Sequence, residues 1–365
     1  MRTLILASFF TGALLLSTLC YSQSLEPGFN KEEFIELMKV FSRWGDSTFY
    51  EGIPESQEYK RVYGSPTMGL ENRWELYVSK TNPGVALINI RGTTTNPVSW
   101  LENFYAAMVP AQGSITLAKN MKFDYQLASN PRAAVHVGWL IGMGFLATDM
   151  LPRIDSCYKA GIKEYIVLGH SQGGALAYLL TSHLYNLMDT GKLPGDIRLK
   201  TYCAAAPKPG NLYYAYDYEK RTIGGWAFNV VNPADWVPEV PISIQTVNDF
   251  NQTNPFVNAR KGIKKQSFPK RVALNHVYGQ LTKHTLRAQK RYQKYLGKKT
   301  SRFVKSQLKD IKIPKYVDSN HYVRTGNFIV LPVDETYYQR FPDSETKVFT
   351  HHMIQAYIYL AERLK

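Results

Sequence analysis

A serine flanked by glycines two residues away on each side, Gly169-His170-Ser171-Gln172-Gly173, lies between the apolar run Tyr165-Ile166-Val167-Leu168 and a second apolar run from Ala175 to Leu187. Strand, sharp turn and helix in that order make a nucleophile elbow. The glycines let the chain turn without a Cβ clash, and the serine Oγ projects from the top of a sheet. The helix that opens after Ser171 also aims unpaired backbone N–H groups and a positive dipole end toward a developing oxyanion. Such a serine attacks a carbonyl only when a general base takes its proton and an acid orients that base.

Where an elbow serine is served by a triad in an α/β fold, acid and base follow it in the order serine, acid, histidine. Asp235 sits in Asn229-Val230-Val231-Asn232-Pro233-Ala234-Asp235-Trp236, directly past a strand end, whereas Asp217, Asp249 and Asp334 follow no strand end as clear. Of the histidines, His136 and His183 precede that acid, His170 adjoins the nucleophile, and His276 and His284 fall in a basic segment. His351 and His352 follow the last strand and open the last helix; His352 is preferred as base, ahead of His351 and then His321. Ala86 to Ile90 reads as a strand ending in Arg91-Gly92-Thr93, which directs the Thr93 N–H, with that of Gln172, into an oxyanion hole. Thr94 to Phe104, carrying Pro97, Trp100, Leu101 and Phe104, is expected to act as a lid.

The elements that must position these groups alternate along the chain. Asn30–Arg43 has a helical apolar period, Trp74–Val78 and Val85–Ile90 read as strands about Asn82-Pro83-Gly84, and Gly138–Leu151 reads as a helix. Strands recur at Leu199–Ala204, Trp226–Val231 and Asn327–Pro332. Thr350 is placed to cap a last helix bearing Met353, Tyr357, Leu360 and Leu364. Helices alternating with strands imply an α/β chain of the α/β-hydrolase fold, with a mostly parallel sheet and flanking helices.

The 365 residues are 44% hydrophobic and 13% aromatic, enough for one full core. Arg2, the apolar run Leu4–Leu19 and Cys20-Tyr21-Ser22 read as a signal peptide over residues 1–22, so residues 23–365 are expected to be an exported single domain. From Arg260 to Lys315 there are eighteen Lys or Arg and one acid, Asp310, more than the whole formal excess of +15. This is a basic insertion, at about 242–325, before the candidate histidine, and an anionic membrane surface is a candidate partner for it. No nucleic-acid module is recognisable. No metal-ligand cluster or phosphate-binding glycine loop is present, so no cofactor is expected. Beyond the leader only Cys157 and Cys203 remain, and free buried thiols are the simpler expectation.

Several segments together resemble the class 3 lipases of fungi and plants. Arg91-Gly92-Thr93 looks like their oxyanion turn, Trp100 stands where a lid tryptophan would be, and Val135-His136-Val137-Gly138-Trp139 is similar to their Val-His-x-Gly-aromatic segment. Gly169–Ala177 resembles their elbow, with Gln172 where Leu is more usual. Ala206-Pro207-Lys208-Pro209-Gly210-Asn211 and Asn232–Pro241 resemble later segments, and His352 stands five residues before Tyr357 as in plant members. The resemblance implies an exported serine hydrolase of lipid esters. A triacylglycerol lipase, a phospholipase A and a feruloyl-type carboxylesterase all stay open, as does, from another class, a non-catalytic protein binding an anionic surface.

Overall fold

The computed structural model describes residues 25–45 and 47–365; the expected leader, residues 1–22, lies outside the described residues. Seven strands, β1 (Tyr59–Gly64), β2 (Trp74–Ser79), β3 (Val85–Ile90), β4 (Glu164–His170), β5 (Arg198–Ala204), β6 (Ala227–Val231) and β7 (Asn327–Val330), form one sheet whose spatial order is their chain order. The first three pair antiparallel and the run from β3 to β7 is parallel. Parallel strands covered on both faces read as near-continuous apolar runs, as Val-Ala-Leu-Ile-Asn-Ile in β3 does, interrupted only by Asn89. Alternation divides that strand: Ala86, Ile88 and Ile90 join the core on one face, and Val85 and Leu87 join the core on the other.

Each core is closed by helices. On the first face lie α3 (Val137–Lys159) and α4 (Gln172–Asp189); on the second lie α1 (Lys31–Ser42) and α7 (Ile354–Glu362), which pack on each other. The short α2 (Pro97–Phe104) follows β3, and α5 (Phe268–Gln293) and α6 (Thr300–Gln307) occupy the basic segment between β6 and β7. Asn30 caps α1 by accepting the Glu33 N–H at 2.8 Å, and Phe34, Leu37, Met38 and Phe41 form its buried stripe.

Two boundaries differ from the sequence reading. The helix expected to stop at Leu151 continues through Pro152 to Lys159. Proline removes one backbone donor and strains a turn, but the buried face of Leu146, Ala147 and Met150 resumes at Ile154 and carries the helix across. Thr350 does not cap the last helix. Residues Thr350–His352 form a separate 3-10 turn, α7 starts at Ile354, and the Thr350 hydroxyl donates instead to the Lys347 carbonyl at 2.8 Å. Cys157 and Cys203 are both free thiols, the second buried in β5.

The parallel strands end level with one another. Ile90 of β3 pairs with Gly169 of β4, and Gly169 and His170 pair with Cys203 and Ala204 of β5. The turns leaving these carboxyl ends therefore converge at one edge, where open α/β sheets place their ligand sites. The tightest is the elbow. Ser171 has φ 60° and ψ −133°, and its N–H donates to the Ala204 carbonyl at 3.0 Å. A Cβ on Gly169 would stand 2.0 Å from the Gly173 carbonyl oxygen, and one on Gly173 would stand 2.4 Å from the Ile90 carbonyl oxygen. Neither obstacle is a movable side chain, so Gly169→Ala and Gly173→Ala are each expected to destabilise the fold by about 3 kcal/mol. Thermal unfolding measures this, and a Tm within about a degree of the parent would contradict the close approach.

Candidate active site

Ser171, at the apex of the elbow, lines a cavity of about 740 Å3 together with Thr93, Trp100, Gln172 and His352. Its walls are mostly apolar, with Phe41, Trp44 and Phe49 from the N-terminal region, Phe349 and Met353 beside His352, and Val240 and Ile242 from the segment after β6. The strained φ at Ser171 is the backbone cost of lifting its side chain off the sheet edge.

Asp235 stands behind His352, away from the cavity, with a wholly buried side chain. Its Oδ2 accepts from His352 Nδ1 at 2.7 Å and from the Tyr357 hydroxyl at 2.9 Å, while Oδ1 accepts the Val237 N–H at 3.0 Å. A carboxylate with three donors is held in one orientation and stays satisfied without water. With Nδ1 as the donor, His352 Nε2 is left as the acceptor. Tyr357 on α7 also accepts the Asn232 N–H at 3.2 Å, so one phenol joins the acid, its loop and the last helix.

The other residues considered from sequence have separate duties. His351 accepts or donates at Tyr337 (2.8 Å) and Asp343 (2.9 Å), away from Asp235. Asp217 pairs with Arg221 at 2.8 Å, Asp249 binds Thr246 and Ser319, and Asp334 caps a short helix at Tyr337. His136 caps α3 and His183 is buried against Phe123, whereas His276 and His284 are exposed on α5. His170 lies with its ring centre 4.5 Å from that of His352. Burial, reinforced by His352, pulls the His170 pKa well below the usual histidine range, so His170 stays neutral and places no second charge beside His352.

The turn after β3 contains groups that the sequence reading missed. The Thr93 hydroxyl donates to Gln172 Oε1 at 3.1 Å, and the Ser99 hydroxyl donates to the same oxygen at 3.3 Å. Asn103 Nδ2 donates to Thr93 Oγ1 at 2.9 Å, and Trp139 Nε1 donates to Asn103 Oδ1 at 3.0 Å. Side chains thus lock the Thr93 turn to Gln172, the two residues whose N–H groups were read as oxyanion donors. Beneath them Glu102 is fully buried and accepts from Asn72 Nδ2 at 2.6 Å. A glutamate inside an amphipathic helix normally faces water, so no local pattern marks this one as buried. Trp100, on the same helix, sets its ring centre 6.1 Å from that of Phe349, which in turn stands 5.5 Å from Trp236.

Burial pushes the Glu102 carboxyl up to about 8, against the opposing pull of the Asn72 and Gln172 amides. An acid raised in the folded state contributes stability that is present below the ordinary glutamate pKa and is lost as pH rises toward 8. Glu102→Gln removes that titration. Its Tm relative to the parent is expected to rise steadily between about pH 5 and pH 8, and parallel Tm curves across that range would contradict a neutral buried acid.

Residues 87–244 match the family described as lipase (class 3). A secreted mono- and diacylglycerol lipase of Malassezia globosa is 26% identical over 236 residues, 63% of this chain and 62% of its own length. One of Malassezia restricta is 37% identical over 78 residues, 21% of this chain and 24% of its own. The chain spans less than two thirds of the length of these curated relatives. Among solved structures, a Rhizomucor miehei lipase propeptide complex has a TM-score of 0.42 at 19% identity, covering 60% of this chain and 68% of that one. The matched residues run from β3 through the elbow to the Asp235 loop, and stop before the Arg260–Lys315 segment and His352. Over residues 87–244, from the Thr93 turn to the Asp235 loop, the chain is similar to the class 3 lipase family.

Proposed function

We propose that this chain is an exported serine hydrolase of lipid carboxylic esters, with Ser171 as nucleophile, His352 as general base and Asp235 as the orienting acid. The observation that carries the reading is the 2.7 Å bond from His352 Nδ1 to a buried carboxylate, behind a cavity that His352 shares with a strained serine. Ser171 Oγ attacks the ester carbonyl and passes its proton to His352 Nε2, while Asp235 stabilises the imidazolium. The N–H groups of Thr93 and Gln172 receive the oxyanion. On collapse His352 returns the proton to the departing alcohol, and water, activated by the same imidazole, then releases the acid from Ser171.

Substrate class follows from the walls. An ester lying among Phe41, Trp44, Phe49, Phe349 and Met353 gains by burying an acyl chain. The Malassezia relatives are named as secreted mono- and diacylglycerol lipases, which supports glycerides as substrates and supports export. Trp100 on α2, reaching Phe349 across the cavity, is suited to serve as the lid residue. Residues 23–365 act as one domain in this reading, since β7 returns to pair with β6 after the insertion.

Ser171→Ala is expected to lower kcat on a soluble p-nitrophenyl ester by about 10⁴-fold or more without a comparable fall in Tm. His352→Ala should be nearly as damaging. His351→Ala, whose partners are Tyr337 and Asp343, should retain most of the turnover. The reverse ranking of the two histidines would move the base to His351, and full turnover in Ser171→Ala would remove the mechanism.

A further inference from the structure

From Arg260 to Lys315 the basic insertion has a single carboxylate, Asp310, to answer its charge. Of the eighteen Lys and Arg between Arg260 and Lys315, none is ion-paired among the described residues, where every salt bridge joins groups elsewhere in the chain. The rest of the sequence carries 26 basic and 28 acidic residues and is close to neutral. Like charges concentrated without partners repel one another, and an anionic surface relieves that repulsion.

The same segment is short of apolar cover. From Lys264 to Leu281 every residue is exposed or half-buried, so the first half of α5 has no face packed against the body of the protein. Helices in proteins owe most of their stability to a packed face. Here Phe268 (71% exposed), Val272, Leu274, Val277 and Leu281 instead lie open to solvent among Lys270, Arg271 and Lys283. Mixed cations and apolar side chains around a helix suit a lipid headgroup layer, where rings and aliphatic groups sink inward and cationic stems snorkel out to phosphate. A nucleic acid or a soluble polyanion answers the charge but offers no apolar layer.

The far end of this arm is built into the cavity. Tyr292, at the end of α5, and Leu296 line it, and the Leu296 carbonyl accepts the Ala107 N–H at 3.2 Å. Tyr316 shares a 2.8 Å hydroxyl bond with Tyr105, immediately after α2, and α6 packs on α2 itself. Phe104 (57% exposed) and Ile242 (72%) stand at the cavity rim. Anything that seats the arm therefore acts on a body that includes the cavity wall and α2.

We infer that the segment from Arg260 to Lys315, led by α5, is a docking surface for anionic phospholipid, which holds the cavity rim against the lipid that supplies its substrate. This rests on the lipid-ester reading above but is tested apart from it, because docking needs no turnover. The full chain carrying Ser171→Ala is sedimented with vesicles of phosphatidylcholine alone and with roughly one-third phosphatidylserine, and with heparin as a soluble polyanion. Binding is expected to be roughly tenfold or more tighter to the anionic vesicles and to weaken steeply with salt. Charge reversal at Lys270, Arg271 and Lys283 should abolish the preference while leaving turnover of a soluble ester unchanged in the chain that keeps Ser171. Phe268→Ser, Val272→Ser and Leu281→Ser together should weaken vesicle binding but not heparin binding, and circular dichroism checks that α5 persists. Equal binding to neutral and anionic vesicles would overturn the inference. So would apolar variants that bind vesicles like the parent, since the segment would then be a polyanion site only.

Discussion

The 2.7 Å hydrogen bond between His352 and Asp235 joins residues 117 positions apart, and much of the architecture exists in a form that lets it close. Asp235 leaves the carboxyl end of β6 on a short turn, and the Asn232 side chain tightens that turn by accepting the Ala234 N–H at 3.0 Å. The chain then makes its long excursion through the basic helices before β7 pairs with β6 and the turn at Thr350–His352 brings the imidazole back. Tyr357 holds Asp235 and the Asn232 N–H from α7, which packs on α1. If the chain failed to return, the buried Asp235 side chain would lose its His352 and Tyr357 donors, which is costly. The same bond explains why the last helix starts at Ile354 rather than at a Thr350 cap. A helix running through His352 would carry its ring along the helical path instead of holding it at Asp235.

Opposite this pair, the serine is presented by backbone alone. Its positive φ is stabilised by the bond to Ala204 and by glycines that have carbonyl oxygens where a Cβ would be. The facing turn is fixed by side chains, with Thr93, Ser99 and Gln172 sharing hydrogen bonds around a single amide oxygen. Near Gln172 lies the buried Glu102, whose carboxyl accepts from Asn72 and which burial pushes up to about 8. Buried polar groups of this kind favour one arrangement only when they are satisfied together.

Much of the site was readable from local signals. An elbow has an unmistakable strand, turn and helix context, and Thr93 and Asp235 each follow an apolar run that ends abruptly. The structure brings Ser171, Thr93, Gln172, Trp100 and His352 to one cavity, with Asp235 bonded behind it. Glu102 and Asn103 were not readable, because on a helix of eight residues their spacing looks like a solvated face. Only contact with α3 and Gln172 gives them a role. Nothing in the apolar period of Asn30–Arg43 reveals that Phe41, at the end of α1, reaches the cavity, and Trp44 and Phe49 follow beyond it. The cations of the insertion were countable, but whether they were paired depended on the surrounding fold.

Whether Asp235 acts through His352 is tested most directly by steady-state kinetics of Asp235→Asn on a soluble ester. The amide keeps the shape and part of the hydrogen bonding, but it favours the wrong imidazole tautomer and cannot stabilise the imidazolium. The predicted result is a fall in kcat of about 10³ to 10⁴-fold near neutral pH, with KM and the folded state little changed. A kcat within a few-fold of the parent, in a variant that unfolds normally, would contradict it.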